Sequence, residues 1–239
     1  MPEIEIVPDE TSLAERACRH FVTLARATLR THRFAVALAG GSTPRGMYSL
    51  LVSARLDWEQ VHFFWGDERC VPPDDPDSDF RMANETLLSH IPVPAGNIHR
   101  ILGEHPAEEA AREYEHELTA FFDEGTPCFD LVLLGLGNDG HTASLFPGAP
   151  ALHETTRRAV AVSHDSPPPP LVDRVTLTPP VLNAAAEVLF LVAGAEKAER
   201  LEQVLHGPYL PDLLPAQLIR PVNGRLRWLV DRAAARDIH

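Results

Sequence analysis

The sequence predicts an α/β fold, a three-layer, Rossmann-like arrangement in which a mainly parallel sheet carries helices on both faces. Short apolar runs recur along the chain, and several of them are apolar at almost every position. Segments whose apolar residues follow helical spacing lie between these runs. Strands that are apolar throughout are typical of parallel sheets covered by helices, and such sheets bind ligands at the carboxyl ends of their strands.

Local signals place the elements. The spacing Ser12-x-x-Glu15 predicts a capping box that opens the first helix. Pro44 suits the first position of a second helix, with Ser42 or Thr43 as the N-cap, and another helix is expected to begin at 79–81. The expected strands cover residues 4–7, 34–40, 61–66, 129–135, 158–163, 174–178, 187–193 and 225–231.

The composition is that of an ordinary globular protein, and we expect one domain over residues 1–239. Hydrophobic residues make up 44% of the chain, and no apolar run approaches the roughly 20 residues of a membrane span. The formal net charge of −13 disfavours nucleic acid and anionic membranes as partners. The acidic N-terminus carries no secretory signal, and the three scattered cysteines argue against disulfides. We therefore expect a cytoplasmic protein. The prolines at 167–170 predict a short stiff connector inside the domain.

A glycine-rich stretch at 135–140 spells G-x-G-x-x-G after an apolar run. A dinucleotide site needs a full helix after this motif, but Pro147-Gly148 interrupts the chain too early, which argues against nicotinamide or flavin. The stretch is better interpreted as a tight turn that holds Asp139 and His141 at the mouth of a strand. Histidine suits general-base chemistry near neutral pH, and no further metal-ligand spacing accompanies it, so we expect a metal-free site.

A turn of small residues between a strand and a helix is a candidate anion site. Gly41, Ser42 and Thr43 would direct backbone N–H groups and hydroxyls towards a phosphate at the helix N-terminus. The chain has no Gly-Lys-Ser/Thr sequence here, so a nucleoside triphosphate is not expected. An ordinary capped turn remains the alternative.

Charged residues at three other places are candidates for the same crevice. Asp67 and Arg69 follow an apolar strand, where a solvated loop is the alternative interpretation. Arg174 opens a strand after the proline run. Lys197 is the only lysine among 21 basic residues, and it lies in the first turn of a helix, where a cation is unfavourable unless an anion binds.

Taken together, these motifs resemble the 6-phosphogluconolactonase family. The resemblance covers nearly the whole chain and is carried by AGGSTPRGMY, WGDERCVPPDDPDSDFRMA, LGLGNDGHTASLFPG, RVTLTPPVLNAA, VAGAEKA and LPAQLIRPVNGRLRWLVD. It implies a Rossmann-like fold, no metal or cofactor, and hydrolysis of 6-phospho-D-glucono-1,5-lactone. One departure is Asp79, where lactonases more usually have Asn.

The resemblance also implies roles for the candidate residues. His141 would be the general base that activates water, and Arg69 would stabilise the oxyanion or orient the substrate. Asp67 and Asp139 would organise the site. The residues expected to hold the phosphate are Gly41, Ser42, Thr43, Arg174 and Lys197.

Two alternatives remain open at this stage. The related glucosamine-6-phosphate deaminases have Glu five residues after the histidine, where this chain has Phe146, and Asp-Glu-Tyr at the place of 67–69. A non-catalytic sugar-phosphate sensor would normally carry a basic DNA-binding segment, which the sequence does not display. We expect the partner to be a small sugar-phosphate lactone, and the chain to be a monomer or a small homo-oligomer.

Overall fold

The computed structural model describes residues 2–122, 125–165 and 169–238. A six-stranded sheet lies at the centre of the fold, and every neighbouring pair of its strands is parallel. Parallel pairing requires a crossover between consecutive strands, and helices or long loops supply these crossovers. The strands of this sheet are β1 (Glu3–Val7), β2 (Phe34–Leu38), β3 (Val61–Trp65), β5 (Leu131–Leu134), β8 (Glu187–Val192) and β9 (Arg225–Asp231).

The strand order is β1-β9-β8-β5-β2-β3, with β8, β5 and β2 in the interior of the sheet. Strands β2, β5 and β8 are buried at every position, as their continuous apolar sequences predict. The α/β, Rossmann-like fold class is therefore confirmed. The helices around the sheet are α1 (Glu10–Thr28), α2 (Ser42–Leu51), α3 (Asp79–Thr86), α4 (Ala107–Phe122), α5 (Pro179–Ala184) and α6 (Ala198–His206).

The predicted capping box of α1 is wrong by three residues. The cap is Asp9, whose extended backbone lets its carboxylate accept a hydrogen bond from the Ser12 N–H at 2.8 Å. Ser12 therefore lies inside the first turn rather than before it. An aspartate is as good a cap as a serine, and here it stands where the chain leaves β1.

The start of α2 also differs from the prediction. The N-cap is Gly41, not Ser42 or Thr43, and Pro44 is the third helical residue rather than the first. Gly41 has φ +91°, which a glycine adopts without steric cost, so the helix begins earlier than the proline indicates. Because no side chain caps this helix, the Ser42 and Thr43 hydroxyls are not used for capping.

A second sheet, which the sequence did not predict, lies beside the first. It is antiparallel and has the order β4-β7-β6, with β4 (Asp67–Arg69), β6 (Ala159–Val162) and β7 (Arg174–Leu177). The sequence predicted β6 and β7 as strands but gave no sign of their antiparallel pairing with the short charged strand β4. In the predicted proline connector, Pro167 and Pro168 lie outside the described residues.

The chain after the glycine-rich stretch is not helical. The next helical residues after Gly140 form a single 3₁₀ turn at Pro150–His153. The helix that a dinucleotide site requires is therefore missing from this part of the described chain, as Pro147 predicted. Among the residues that the structure describes, no helix has both the length and the apolar character to cross a membrane.

Candidate active site

A cleft of about 500 Å³ opens at the carboxyl ends of β2, β3, β5 and β8. Loops that follow these strands form its walls, which is the position where open parallel sheets bind ligands. Eight of the nine predicted site residues line this cleft, although they come from five separate segments of the chain: Gly41, Ser42, Thr43, Asp67, Arg69, His141, Arg174 and Lys197.

Asp139, the ninth, lies behind His141 and does not line the cleft. Its Oδ1 is 2.5 Å from Nδ1 of the His141 ring and also accepts the His141 backbone N–H at 3.0 Å. Burial opposes the ionised form of Asp139, but the hydrogen bonds from His141 outweigh it and lower the pKa of Asp139. The carboxylate therefore holds Nδ1 as a donor, which makes Nε2 the ring atom that can accept a proton.

Gly137 makes the room that this pair needs. A Cβ at Gly137 would lie 2.1 Å from Nδ1 of His141 and 2.6 Å from Oδ1 of Asp139. The turn is closed by hydrogen bonds from the Gly140 N–H to the Gly137 carbonyl, at 3.0 Å, and from the Gly137 N–H to the His141 carbonyl, at 2.9 Å. The glycines of the stretch at 135–140 thus form a tight turn that leaves room for the His141 ring.

Asp67 is tied to the histidine loop through Ser144. The Ser144 hydroxyl donates to Oδ2 of Asp67 at 2.5 Å, and the Ser144 N–H donates to the Thr176 hydroxyl at 3.3 Å. Ser144 and Thr176 are fully buried. These contacts join the loop after β5 to both β4 and β7.

Arg69 is anchored by one edge of its guanidinium. Nη1 is 2.8 Å from Oδ1 of Asp79 and donates to the Asp77 carbonyl at 2.5 Å. Burial lowers the pKa of Arg69, but the surrounding carboxylates, Asp79 first, outweigh burial and raise it. The guanidinium is thus charged and fixed in orientation at the wall of the cleft.

Glu68, between the two predicted residues of β4, is buried and organises the start of α3. Its carboxylate accepts the backbone N–H groups of Arg69, Asp79 and Phe80 at 2.7 to 2.8 Å, and the Ser78 hydroxyl at 3.2 Å. Its pKa is nevertheless raised, because burial disfavours the charge more than these hydrogen bonds support it.

Arg174 stands opposite Arg69 in the antiparallel pair of β4 and β7. Like charges directly opposite on neighbouring strands are destabilising, and the nearby carboxylates of Asp67, Asp79 and Glu68 offset this repulsion. Arg174 donates to the carbonyls of Val172 and Pro170, at 3.1 and 2.9 Å. Burial is the main reason that the pKa of Arg174 is lowered, and Arg69 adds to the effect.

Lys197 lies directly before α6, at the end of the 3₁₀ turn Ala195–Lys197, and lines the cleft. Burial lowers the pKa of its half-buried ammonium, and the partial opposition of Glu196 and Asp139 does not restore it. The turn before it is held by Asp231, which accepts the Gly194 N–H at 3.2 Å and the Ala234 N–H at 2.7 Å. A bound dianion would favour the charged form of Lys197.

Asp79, the departure from the family pattern, is buried between Arg69 and the turn before α2. A Cβ at Gly40 would lie 1.8 Å from Oδ1 of Asp79, so the carboxyl group packs directly against this turn. Burial, together with the neighbouring charge of Glu68, raises the pKa of Asp79 well above its ordinary value despite the ion pair with Arg69.

We expect the effect of Asp79→Asn on the free energy of unfolding to be more favourable at alkaline than at acidic pH. The folded chain binds the Asp79 proton more tightly than the unfolded chain, so stability is lost as the pH rises from the ordinary carboxyl pKa through the raised one. Asparagine avoids this loss, which is about 1.4 kcal/mol for each unit by which folding raises the pKa. Urea unfolding at about pH 5 and about pH 8 measures the change in the free energy of unfolding. Asp77→Asn, in the exposed part of the same loop, is the control. An equal effect of Asp79→Asn at both pH values would contradict the prediction.

Several residues of the site were not predicted as such. Ser144 and Thr142 lie within the quoted glycine-rich motif, and their small hydroxyl side chains in a buried loop were the available signal. Asp231 ends β9, a position where polar residues face the ligand crevice. For metal ions, the group of suitable ligands among the described residues is His105, Glu109 and Glu113, whose ligand atoms lie within 4.8 Å of one another. None of the three lines the cleft.

The fold and the cleft define an α/β protein with a histidine–aspartate pair beside a cleft that three cationic side chains line. A family model described as "Glucosamine-6-phosphate isomerases/6-phosphogluconolactonase" matches residues 8–228. The chain therefore belongs to this family.

Several relatives match nearly the full length of the chain. A 6-phosphogluconolactonase of a Nostoc species is 42% identical, with 98% of each chain covered, and one of a Synechocystis species is 40% identical, with 99% of this chain and 98% of the relative covered. The solved structure of 6-phosphogluconolactonase from Trypanosoma brucei has a TM-score of 0.90 at 31% identity, covering 100% of this chain and 99% of that one.

Proposed function

We propose that this protein hydrolyses 6-phospho-D-glucono-1,5-lactone to 6-phospho-D-gluconate, the second step of the oxidative pentose phosphate pathway. The observation that carries the proposal is the His141–Asp139 pair on the wall of a cleft that also holds three cationic side chains. The lactonase names of its full-length relatives support the same reaction. Phe146 packs against the His141 ring, with the ring centroids 4.7 Å apart, where a deaminase would have glutamate.

His141 acts as a general base in this proposal. Nε2 removes a proton from water as the water oxygen attacks the lactone carbonyl carbon, which gives a tetrahedral oxyanion and an imidazolium. The oxyanion then collapses, the bond to the ring oxygen breaks, and that oxygen takes the proton from Nε2. A lactone is an activated ester, so this chemistry needs no covalent enzyme intermediate.

Asp139 and Asp67 position the base rather than reacting themselves. The Asp139 carboxylate stabilises the imidazolium that forms during attack. Asp67 holds the loop through the Ser144 hydroxyl. Arg69, fixed by Asp79, orients the substrate.

The phosphate occupies the turn at the start of α2 in this proposal. Backbone N–H groups of Gly41, Ser42 and Thr43 face it, because the first N–H groups of a helix have no partner within the helix. Arg174 and Lys197 supply positive charge. Burial lowers the pKa of both side chains, and a bound dianion would raise it again.

We expect Lys197→Ala to raise KM for the lactone and to leave kcat nearly unchanged. The loss of one charged hydrogen bond to the phosphate weakens binding by about 1.5 to 3 kcal/mol, or about 10- to 150-fold in KM. Steady-state kinetics measure the change. Lys197→Arg should retain most of the affinity, and Arg232→Ala, which removes an exposed cation that does not line the cleft, should change nothing. An unaltered KM in Lys197→Ala would remove this residue from the phosphate site.

Acid release from freshly prepared 6-phosphogluconolactone tests the proposed function directly. The rate is measured above the spontaneous hydrolysis of the lactone, and ammonia release from glucosamine 6-phosphate is measured in parallel. Acid release without ammonia release supports the lactonase. Ammonia release would favour a deaminase, and tight binding of a sugar phosphate with neither reaction would favour a sensor.

We further propose that residues 1–239 act as a single domain in the cytoplasm, without a metal or cofactor and as a monomer or small homo-oligomer. A buried apolar cluster that extends from Val7 to Ala235 supports the single domain. The acidic charge and the scattered cysteines support the location and the absence of nucleic-acid partners.

A further inference from the structure

Ala143, two residues after His141, has an unusual backbone conformation. Its φ is +47°, and among the described residues it is the one non-glycine residue with positive φ. An alanine in this left-handed region pays a steric cost, because its Cβ approaches the following carbonyl oxygen. Backbone outliers of this kind persist where the surrounding structure imposes them, and they cluster at functional sites.

The neighbours of Ala143 impose this conformation. Residues 142–145 form a turn in which the Leu145 N–H donates to the Thr142 carbonyl at 3.0 Å. The Thr142 hydroxyl donates to the Gly135 carbonyl at 2.8 Å, and the Ser144 hydroxyl donates to Asp67 at 2.5 Å. Thr142 and Ser144 are both buried. The turn is therefore clamped on either side of Ala143, which itself lines the cleft.

The backbone N–H of Ala143 has no acceptor among the residues that the structure describes. Within the part of the chain that the structure describes, it donates no hydrogen bond to a backbone or side-chain acceptor. A polar backbone group beside a partly buried cleft is normally paired, and leaving it unpaired costs free energy. A ligand atom in the cleft can supply the missing acceptor.

We propose that the Ala143 N–H donates a hydrogen bond to the oxyanion that develops on the lactone carbonyl oxygen. This inference rests on the proposed lactone hydrolysis. Its position two residues after the base places the donor on the same loop as Nε2 of His141. A backbone dipole held by two buried neighbours needs no reorganisation when charge develops, which is the condition for strong transition-state stabilisation. Asp79 and Asp77 already engage Nη1 of Arg69, whereas its buried Nε has no partner among the described residues and is free to bind another part of the substrate.

The strained conformation of Ala143 fixes the direction of its N–H in this arrangement. A relaxed conformation at position 143 would turn the peptide plane between Thr142 and Ala143 and so redirect the N–H. The clamps from Gly135 and Asp67 hold the plane in place at the expense of local strain. The clamped Ala143 N–H therefore stabilises the transition state without a cationic side chain at the oxyanion.

An amide-to-ester substitution tests the N–H directly. Lactic acid is incorporated in place of Ala143 by nonsense suppression in the full chain, which replaces the N–H by an ester oxygen and keeps the methyl group. We expect kcat for the lactone to fall about 100-fold or more and KM to stay within about threefold, because the interaction exists only in the transition state. A kcat within about threefold of the unsubstituted chain would overturn the proposal.

The ester also weakens the Thr142 carbonyl as an acceptor, so a matched control is needed. The hydroxy-acid analogue of leucine in place of Leu145 removes the hydrogen bond to that carbonyl and leaves the Ala143 N–H intact. We expect this variant to lose far less of its kcat than the Ala143 ester, because the Thr142 and Ser144 hydroxyls still hold the turn. An equal loss in both esters would assign the effect to the turn and not to the Ala143 N–H.

If the Ala143 ester does not fold, two ordinary substitutions test the role of the Ala143 N–H. Ala143→Gly keeps the N–H and accepts positive φ, so it should retain more of the kcat than Ala143→Val does. Ala143→Val keeps the N–H but disfavours positive φ, so kcat should fall while KM changes little. Equal kcat in both would overturn the proposal. Failure of the proposed function would instead show in the unsubstituted chain, as no acid release above the spontaneous rate.

Discussion

We expect His141→Ala to lower kcat for lactone hydrolysis by about 10²- to 10⁴-fold and to leave the fold intact. The ring lies at the wall of the cleft, and its described partners are the Asp139 carboxylate and the Phe146 ring. Its removal therefore takes away the proton acceptor and empties little of the core. Steady-state acid release gives kcat, and thermal unfolding shows whether the fold is kept.

His153→Ala provides the matched control. The His153 side chain is 71% exposed, and its described partner is the exposed Asp212 at 3.1 Å. This variant should keep the activity of the unsubstituted protein. If His141→Ala turned over the lactone as fast as His153→Ala, another group would have to be the base.

We expect Arg69→Met to destabilise the fold by about 3 to 5 kcal/mol and to abolish efficient turnover. Asp79 and Glu68 are both buried, and the Arg69 guanidinium is the cation in direct contact with Asp79. Removing one partner of a buried ion pair leaves an uncompensated charge in a low-dielectric site. The loss of stability should be larger at about pH 8 than at about pH 5. At the lower pH the carboxyl groups that have lost their cation can take up protons.

Two further variants check this interpretation by urea unfolding. Arg69→Met combined with Asp79→Asn should recover part of the lost stability, because the uncharged amide no longer needs a cation. Arg81→Met removes an arginine whose partner, Glu85, is 51% exposed, and exposed pairs contribute only about 0 to 1 kcal/mol. Equal stability of Arg69→Met and Arg81→Met would show that the buried ion pair contributes nothing to the fold.

The elements that the sequence predicted best are those with a strong local signal. β2, β5 and β8 are apolar at nearly every position, and a strand buried on both faces requires that composition. Helix starts were predicted less well. At α1 and α2 the caps are Asp9 and Gly41, because several residues near each start could serve and the backbone conformation chooses between them.

The residues of the candidate site were predicted for a related reason. Side chains that follow consecutive parallel strands reach the same edge of the sheet, so polar residues after apolar runs identify the walls of the cleft. This reasoning placed Asp67, Arg69, His141 and Lys197 in one crevice, and all four line it. Their chemical roles remain predictions, to be tested by the variants described above.

The sequence by itself thus determined the fold class and the segments that supply the cleft, because both depend on local composition and on the regular geometry of parallel sheets. Tertiary structure alone decided how those segments meet. The antiparallel pairing of β4 with β7 sets Arg69 opposite Arg174, the clamp on Ser144 ties Asp67 to the histidine loop, and the same clamp holds Ala143 at positive φ. These contacts join residues far apart in the chain, and their energies come from burial and charge pairing that no local pattern encodes.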